Sequence, residues 1–174
     1  SVPMIGMAIG AGQIARARGC RVVAMEPDAR RRELALGSAA DVVADPKAAK
    51  LEDLLKAEGK PSFDVLIDTS ACAPAINAAF FHVRPRGKVL FQGYYPGLTP
   101  VDFLWPHVRE LTMYNPTNQR AEDLADVLQL LVEDKIDVAS HAERFRLEDA
   151  VQAYASVLCD PARALSALID WRRA

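Results

Sequence analysis

The stretch GAGQIARARGCRVVAMEPD, residues 10–28, decides the fold class. Its first half consists mainly of apolar and small residues, which favour a buried helix, and Gly19 stands in the position that commonly follows a helix. Residues 21–26 form a short apolar run that ends in the acid Glu26, a pattern typical of a buried strand. We therefore predict a helix over residues 3–18 and a strand over residues 21–26.

The same alternation of helix and strand continues through the rest of the chain. Periodicity and turn signals predict helices over 27–36, 47–58, 74–83, 120–133 and 147–158 and strands over 41–44, 63–68, 87–92, 111–114 and 164–170. Strands that alternate with helices of this length form right-handed βαβ units and parallel sheets. We predict an α/β protein with a doubly wound, Rossmann-like parallel sheet.

A sheet of this type opens with a strand that leads into the first helix, and the sequence shows no such strand before the helix over 3–18. One interpretation is that the first strand precedes Ser1 and lies outside the chain. The other is that residues 3–9 are themselves a strand and residues 10–15 its glycine turn, but the remaining helix would then be too short to cross the sheet. We expect the first interpretation.

Composition narrows the functional classes. The chain has 174 residues, which is enough for one domain, and 51% of them are hydrophobic. Its formal net charge is -2, so it lacks the positive field that would indicate binding to nucleic acid or to a membrane. The three cysteines are odd in number and far apart, so a disulfide framework and a Cys-x-x-Cys metal site are excluded. We expect a cytoplasmic protein without a membrane span or a signal peptide.

Glu26 is the most informative residue, because an acid at the end of this strand can accept hydrogen bonds from both hydroxyls of an adenosine ribose. Its charge would repel a 2′-phosphate, which favours NAD over NADP. The arginines at 30–32 could instead meet a 2′-phosphate. The structural alternative is that Glu26 and Asp28 only begin the next helix, whose dipole favours acids there.

The N-terminal residues are a second candidate. If the first strand precedes the chain, Val2, Pro3 and Met4 form the tail of a phosphate-binding turn at the start of a helix. The alternative is that the nearby glycines only allow helix packing and that these residues form a frayed end.

Ligands of open α/β sheets bind beyond the carboxyl ends of the strands. Thr69 and Ser70 follow one predicted strand and offer hydroxyls, and Gly93 follows another, where it would let the backbone approach a flat ring beside Tyr94. Each of them alone is more often a turn residue, and it is their combination at one rim that favours a site.

The sequence contains no recognisable group of residues that could catalyse a reaction by itself. The histidines at 82, 107 and 141 are scattered, none has a Cys, Asp or Glu at metal-ligand spacing, and none accompanies a recognisable nucleophile. We predict no catalytic residue and no metal ligand in this chain.

Four segments in order carry a family resemblance: residues 13–28, 63–70, 83–93 and 145–154. Together they resemble the cofactor-binding and C-terminal part of the medium-chain, zinc-type alcohol dehydrogenases. Within that family, residues 93–95, 109–110 and 159–171 look most like the bacteriochlorophyllide a dehydrogenase branch.

The resemblance implies hydride transfer between a nicotinamide and an alcohol or carbonyl substrate, with NAD as the expected cofactor and NADP as the less favoured one. By position, Glu26 would hold the adenosine ribose and Arg31 would lie by the adenine. Thr69 and Ser70 would flank the adenosine side, and Gly93 and Tyr94 would present backbone to the nicotinamide end.

The family's zinc ligands come from an N-terminal domain that this chain lacks, so zinc is expected only in that missing domain. Residues 1–140 are expected to form the dinucleotide-binding domain and residues 141–174 a C-terminal helix and strand that return toward the catalytic domain. Edge strands in this family often pair, which makes a homodimer possible.

Two other classes fit parts of the sequence. Methyltransferases that use S-adenosylmethionine share an acid after the second strand and a turn like residues 84–88, but they need a closing antiparallel hairpin that residues 120–171 do not predict. A non-catalytic nucleotide-binding domain is the third possibility, because the active-site half of a dehydrogenase is absent.

Overall fold

The computed structural model of the chain describes residues 5–159 and 166–173. The predicted site residues Val2, Pro3 and Met4 lie outside the described residues. Contacts divide the described chain into two compact units. The first contains residues 5–7 and 46–120, and the second contains residues 8–45, 121–159 and 166–173.

Helices and strands alternate as predicted. The helices are α1 (Ile5–Ala17), α2 (Ala29–Ala35), α3 (Leu51–Ala57), α4 (Ala73–Phe80), α5 (Leu104–Val108), α6 (Ala121–Val132) and α7 (Ala150–Cys159). The strands are β1 (Val23–Met25), β2 (Val42–Ala44), β3 (Phe63–Asp68), β4 (Val83–Phe91), β5 (Thr112–Tyr114), β6 (Ala142–Arg146) and β7 (Ser166–Asp170). Across the two described ranges, none of these helices combines the length and apolar character that crossing a membrane requires.

Every strand pair in the described ranges is parallel, which confirms the α/β class. The strands form three sheets, in the orders β1-β2, β3-β4-β5 and β6-β7, rather than one continuous sheet. In the usual doubly wound order the first strand pairs with the second and the fourth. Among the described strands, none pairs with both β1 and β3.

The core of the first unit lies where α4 packs against β4. Ile76 and Phe80 of the helix and Val83 and Val89 of the strand are fully buried, and the Phe80 ring meets the Phe91 ring edge to face at 6.4 Å between centroids. Burial of a side chain the size of Phe80 is worth about 1.5–3 kcal/mol. This packing holds the carboxyl end of β4 in place beside β3.

The second unit places β1 and β2 side by side, in register from Val23 opposite Val42. Helix α1 approaches the turn after α2 closely, since a Cβ on Gly12 would lie 2.4 Å from the carbonyl oxygen of Ala39. The backbone of this helix therefore makes its close approach at Gly12. No such approach occurs at Gly10, where a Cβ would meet nothing within 4 Å.

The sequence places Leu124, Val127, Leu128, Leu131 and Val132 on one apolar side of α6, and the helix buries only part of that side. Val127 and Leu131 are half-buried, but Leu124 is 55% and Leu128 52% exposed, whereas Leu130 is only 9% exposed. The helix carries apolar residues around more than half of its circumference, so its periodicity alone does not decide which stripe is buried.

Candidate functional site

Glu26 lies directly after β1, and its backbone N–H continues the ladder by donating to the carbonyl of Ala44 at 3.0 Å. Its half-buried side chain turns back toward the chain, where Oε1 accepts the backbone N–H of Asp28 at 2.8 Å. Asp28 in turn is the N-cap of α2 and accepts the backbone N–H of Arg31 at 2.9 Å. The acid thus ends its strand as predicted, and it also helps to begin the next helix.

Partial burial raises the pKa of Glu26 above 4.5, because a carboxylate loses solvation there. The hydrogen bond from the Asp28 N–H and the positive charge of Arg31 oppose this shift. The charge of Asp28 adds to it, and the charge of Arg32 opposes it. Burial therefore disfavours the charged form of Glu26, and the neighbouring N–H group and arginines offset part of that effect.

The arginines after Glu26 differ in their surroundings. Arg32 donates to the backbone carbonyl of Glu26 at 2.8 Å and lies 3.4 Å from the carboxylate of Asp45, so it ties the end of β1 to the end of β2. Arg31 is buried in α2, whereas Arg30 is exposed. Of the three side chains, Arg30 is the one that extends toward solvent.

In the first unit, the buried carboxylate of Asp68 organises the carboxyl end of β3. Oδ1 accepts the hydroxyl of Ser70 at 2.6 Å and its backbone N–H at 3.2 Å. Oδ2 accepts the backbone N–H of Ala71 at 3.1 Å and a short hydrogen bond from the hydroxyl of Tyr95. In the sequence, only the acid at the end of the strand over 63–68 hints at these roles of Asp68 and Tyr95.

The predicted hydroxyl ligands lie beside this carboxylate. The Ser70 hydroxyl is already engaged, because it donates to Asp68 and accepts the backbone N–H of Cys72 at 3.1 Å, just before α4. Thr69 is half-buried between Asp68 and Ser70. The structure thus brings Thr69 and Ser70 to the end of β3, as predicted, but uses the Ser70 hydroxyl to shape the turn.

Gly93 packs directly on that turn. Its N–H donates to the carbonyl of Asp68 at 3.0 Å, and a Cβ on Gly93 would lie only 2.8 Å from the backbone nitrogen of Ala71. Ala71 itself has a left-handed backbone with φ of 53°. Glycine is therefore required at 93 by this close approach within the chain. The neighbouring Tyr94 side chain is 73% exposed.

Metal-ligand chemistry is not seen in the residues that the structure describes, where no three His, Cys, Asp or Glu side chains are grouped as a metal site would need. His141 lies near Gln13, with 3.5 Å between the two Nε2 atoms. Gln13 also donates to the carbonyl of Asp137 at 3.0 Å, so it ties α1 to the segment before β6.

The family model for zinc-binding dehydrogenases matches residues 6–133 of this chain. A curated relative, L-galactonate-5-dehydrogenase of Escherichia coli K12, is 32% identical over 131 residues, which cover 74% of this chain and 38% of the relative.

Solved structures agree in fold. A short chain alcohol dehydrogenase of Escherichia coli CFT073, complexed with NADH, superimposes with a TM-score of 0.81 at 16% identity over 94% of this chain and 49% of its own. The 2R,3R-butanediol dehydrogenase of Bacillus subtilis gives a TM-score of 0.81 at 15% identity over 94% of this chain and 48% of its own.

The chain thus spans half or less of the length of these proteins. The resemblance to the dehydrogenase family is confirmed, and the narrower likeness to the bacteriochlorophyllide a dehydrogenase branch stays a prediction. The chain belongs to the zinc-binding dehydrogenase family and corresponds to the cofactor-binding part of the medium-chain alcohol dehydrogenases and reductases.

Proposed function

We propose that this chain binds NAD(H) for an enzyme that transfers hydride between the nicotinamide and an alcohol or carbonyl substrate. The bound nicotinamide supplies or accepts the hydride, and the protein supplies binding and orientation. The zinc and the catalytic residues belong to a domain outside this chain. The observation that carries the proposal is the Glu26 carboxylate, held at the end of β1 by the N–H of Asp28.

We propose that the chain binds NAD in preference to NADP. The contact with Asp28 occupies Oε1 of Glu26, and Oε2 can accept hydrogen bonds from the ribose hydroxyls. A 2′-phosphate would face this carboxylate, while Arg32 is held by Asp45 and by the backbone of Glu26. Arg31 is buried beside Glu26, where it would lie by the adenine.

In the first unit, we propose that the residues at the carboxyl ends of β3 and β4 contact the cofactor. Thr69 and Ser70 flank the adenosine side, and the backbone of Gly93 and Tyr94 serves the nicotinamide end. Support comes from the hydrogen bonds that fix this backbone, since the N–H of Gly93 is anchored on the Asp68 carbonyl.

The C-terminal residues have a separate role in the proposal. Residues 1–140 form the dinucleotide-binding domain, and residues 141–174 return toward the catalytic domain. Helix α7 supports this, because Val151, Tyr154 and Leu158 share one exposed, apolar side. Cytoplasmic location and a homodimer complete the proposal; the free cysteines Cys20, Cys72 and Cys159 support the reducing compartment.

Titration of the purified chain with NADH, NADPH and S-adenosylmethionine tests the function. Saturable NADH binding is expected, with NADPH at least about ten-fold weaker, and Glu26→Gln should reduce that preference. Glu33→Gln, on the exposed side of α2, is the matched control and should leave both affinities unchanged. Saturable binding of S-adenosylmethionine without a response to NADH would overturn the proposal.

A further inference from the structure

Tyr95 is anchored at both ends of its side chain. Its ring packs against the Phe91 ring at 6.0 Å between centroids and joins the partly buried residues around the core of the first unit. Its hydroxyl donates to Oδ2 of Asp68, a residue that is only 7% exposed. The adjacent Tyr94, by contrast, extends into solvent.

The acceptor at the other end is a buried carboxylate with an ordered set of donors. The described residues offer Asp68 two hydroxyls, from Tyr95 and Ser70, and two backbone N–H groups, from Ser70 and Ala71. A buried carboxylate is costly unless hydrogen bonds satisfy it. The Tyr95 hydroxyl is the donor that comes from the loop after β4, because the other three lie within the turn after β3.

Burial and the nearby Asp68 carboxylate raise the pKa of Tyr95 well above that of free tyrosine. Its hydroxyl therefore stays protonated and remains a donor at neutral pH. The hydrogen bond spans 27 residues of sequence and connects the loop after β4 to the turn after β3, on which Gly93 also packs.

We propose that Tyr95 is a positioning residue: through its hydrogen bond to Asp68 it sets the backbone of Gly93 and Tyr94, and so orients the nicotinamide end of the cofactor. This inference rests on the proposed binding of NAD(H). Tyr95 does not touch the reacting atoms in this role. It acts through the adjacent peptide groups, whose direction depends on where its ring and hydroxyl are fixed.

Comparison of NADH with ADP-ribose, which lacks the nicotinamide, tests the role. Tyr95→Phe should raise the dissociation constant of NADH about ten-fold, the scale of one lost hydrogen bond, and leave that of ADP-ribose unchanged. The fluorescence of bound NADH should shift toward that of free NADH. Tyr154→Phe, which removes the same hydroxyl from an exposed tyrosine of α7, is the matched control and should change neither constant.

Equal weakening of NADH and ADP-ribose would show a merely structural role and overturn the inference, as would unchanged binding of both. If Tyr95→Phe fails to fold, Asp68→Asn provides the same comparison, because it perturbs the acceptor of the same hydrogen bond. If the wild-type chain binds neither ligand, the proposed function itself is overturned, and this inference with it.

Discussion

At the residue scale, Glu26 and Asp68 show two ways in which an acid can end a parallel strand. Glu26 is half-buried, and the described structure gives its side chain a contact with the N–H of Asp28. Asp68 is buried and receives hydrogen bonds from Ser70, Ala71 and Tyr95. The two acids stand in the same sequence pattern, since each follows an apolar run. Only their surroundings distinguish an acid exposed enough to meet a ligand from one that holds the protein's own backbone.

Because burial raises the pKa of Glu26, the protonated form is favoured by folding. That contribution is complete below the unfolded pKa, near 4.5, and is lost as the pH rises through the folded pKa. We expect Glu26→Gln to increase the free energy of unfolding at pH 7, and the increase to shrink as the pH falls toward 4. Urea unfolding at several pH values measures this. A gain that grows toward low pH would contradict the assignment.

Gly93→Ala is expected to destabilise the protein by about 1–3 kcal/mol, because the new Cβ would press on the backbone nitrogen of Ala71. Gly97, in the same loop, would place its Cβ in open space. Gly97→Ala should therefore stay within about 0.5 kcal/mol of wild type. Thermal unfolding of both variants provides the comparison, and equal destabilisation would refute the close-approach explanation.

At the scale of helices and strands, the sequence predicts most elements and misplaces those with mixed signals. The strand over 63–68 coincides with β3, whereas β4 begins at Val83 rather than at 87. Pro85 and Gly87 disfavour a strand locally, but pairing with β3 extends it, with an irregular register between Phe63 and Val65. Helix α5 was not predicted, because five residues containing Pro106 give little periodic signal.

Helix α2 begins at the N-cap Asp28, so Asp28→Ala should lower the free energy of unfolding by about 1 kcal/mol and Asp28→Asn by much less.

Helix α3 offers the reverse experiment. Its N-cap, Lys50, makes no side-chain hydrogen bond to the helix, so Lys50→Ser should add about 0.5–1 kcal/mol. Urea unfolding midpoints measure both changes. If Lys50→Ser destabilised the protein, capping would not limit α3.

At the scale of the whole molecule, local patterns predict the parallel α/β class and the carboxyl ends of the strands, because both follow from the alternation of elements. They do not establish which side of each helix is covered, as α6 shows. They also do not pair Asp68 with Tyr95, since that contact depends on how β4 carries its loop back to the end of β3.

The covering of α6 can be tested directly. Leu130→Ala should cost about 2–4 kcal/mol because it removes a buried side chain, while Leu128→Ala should change the free energy of unfolding by less than about 0.5 kcal/mol. The two substitutions are chemically identical and lie two residues apart. Chemical unfolding compares them, and similar losses would show that both sides of α6 are covered in solution.

The pairing of β3 has a practical consequence for handling the isolated chain. In the described residues, β3 is hydrogen-bonded to β4 along one edge only, and Val65 and Ile67 on it are partly exposed. Amide and carbonyl groups along such an edge are a template for strands of other chains. Overproduced without anything to cover this edge, the polypeptide should collect in inclusion bodies, and a fused solubility partner should keep it in the supernatant.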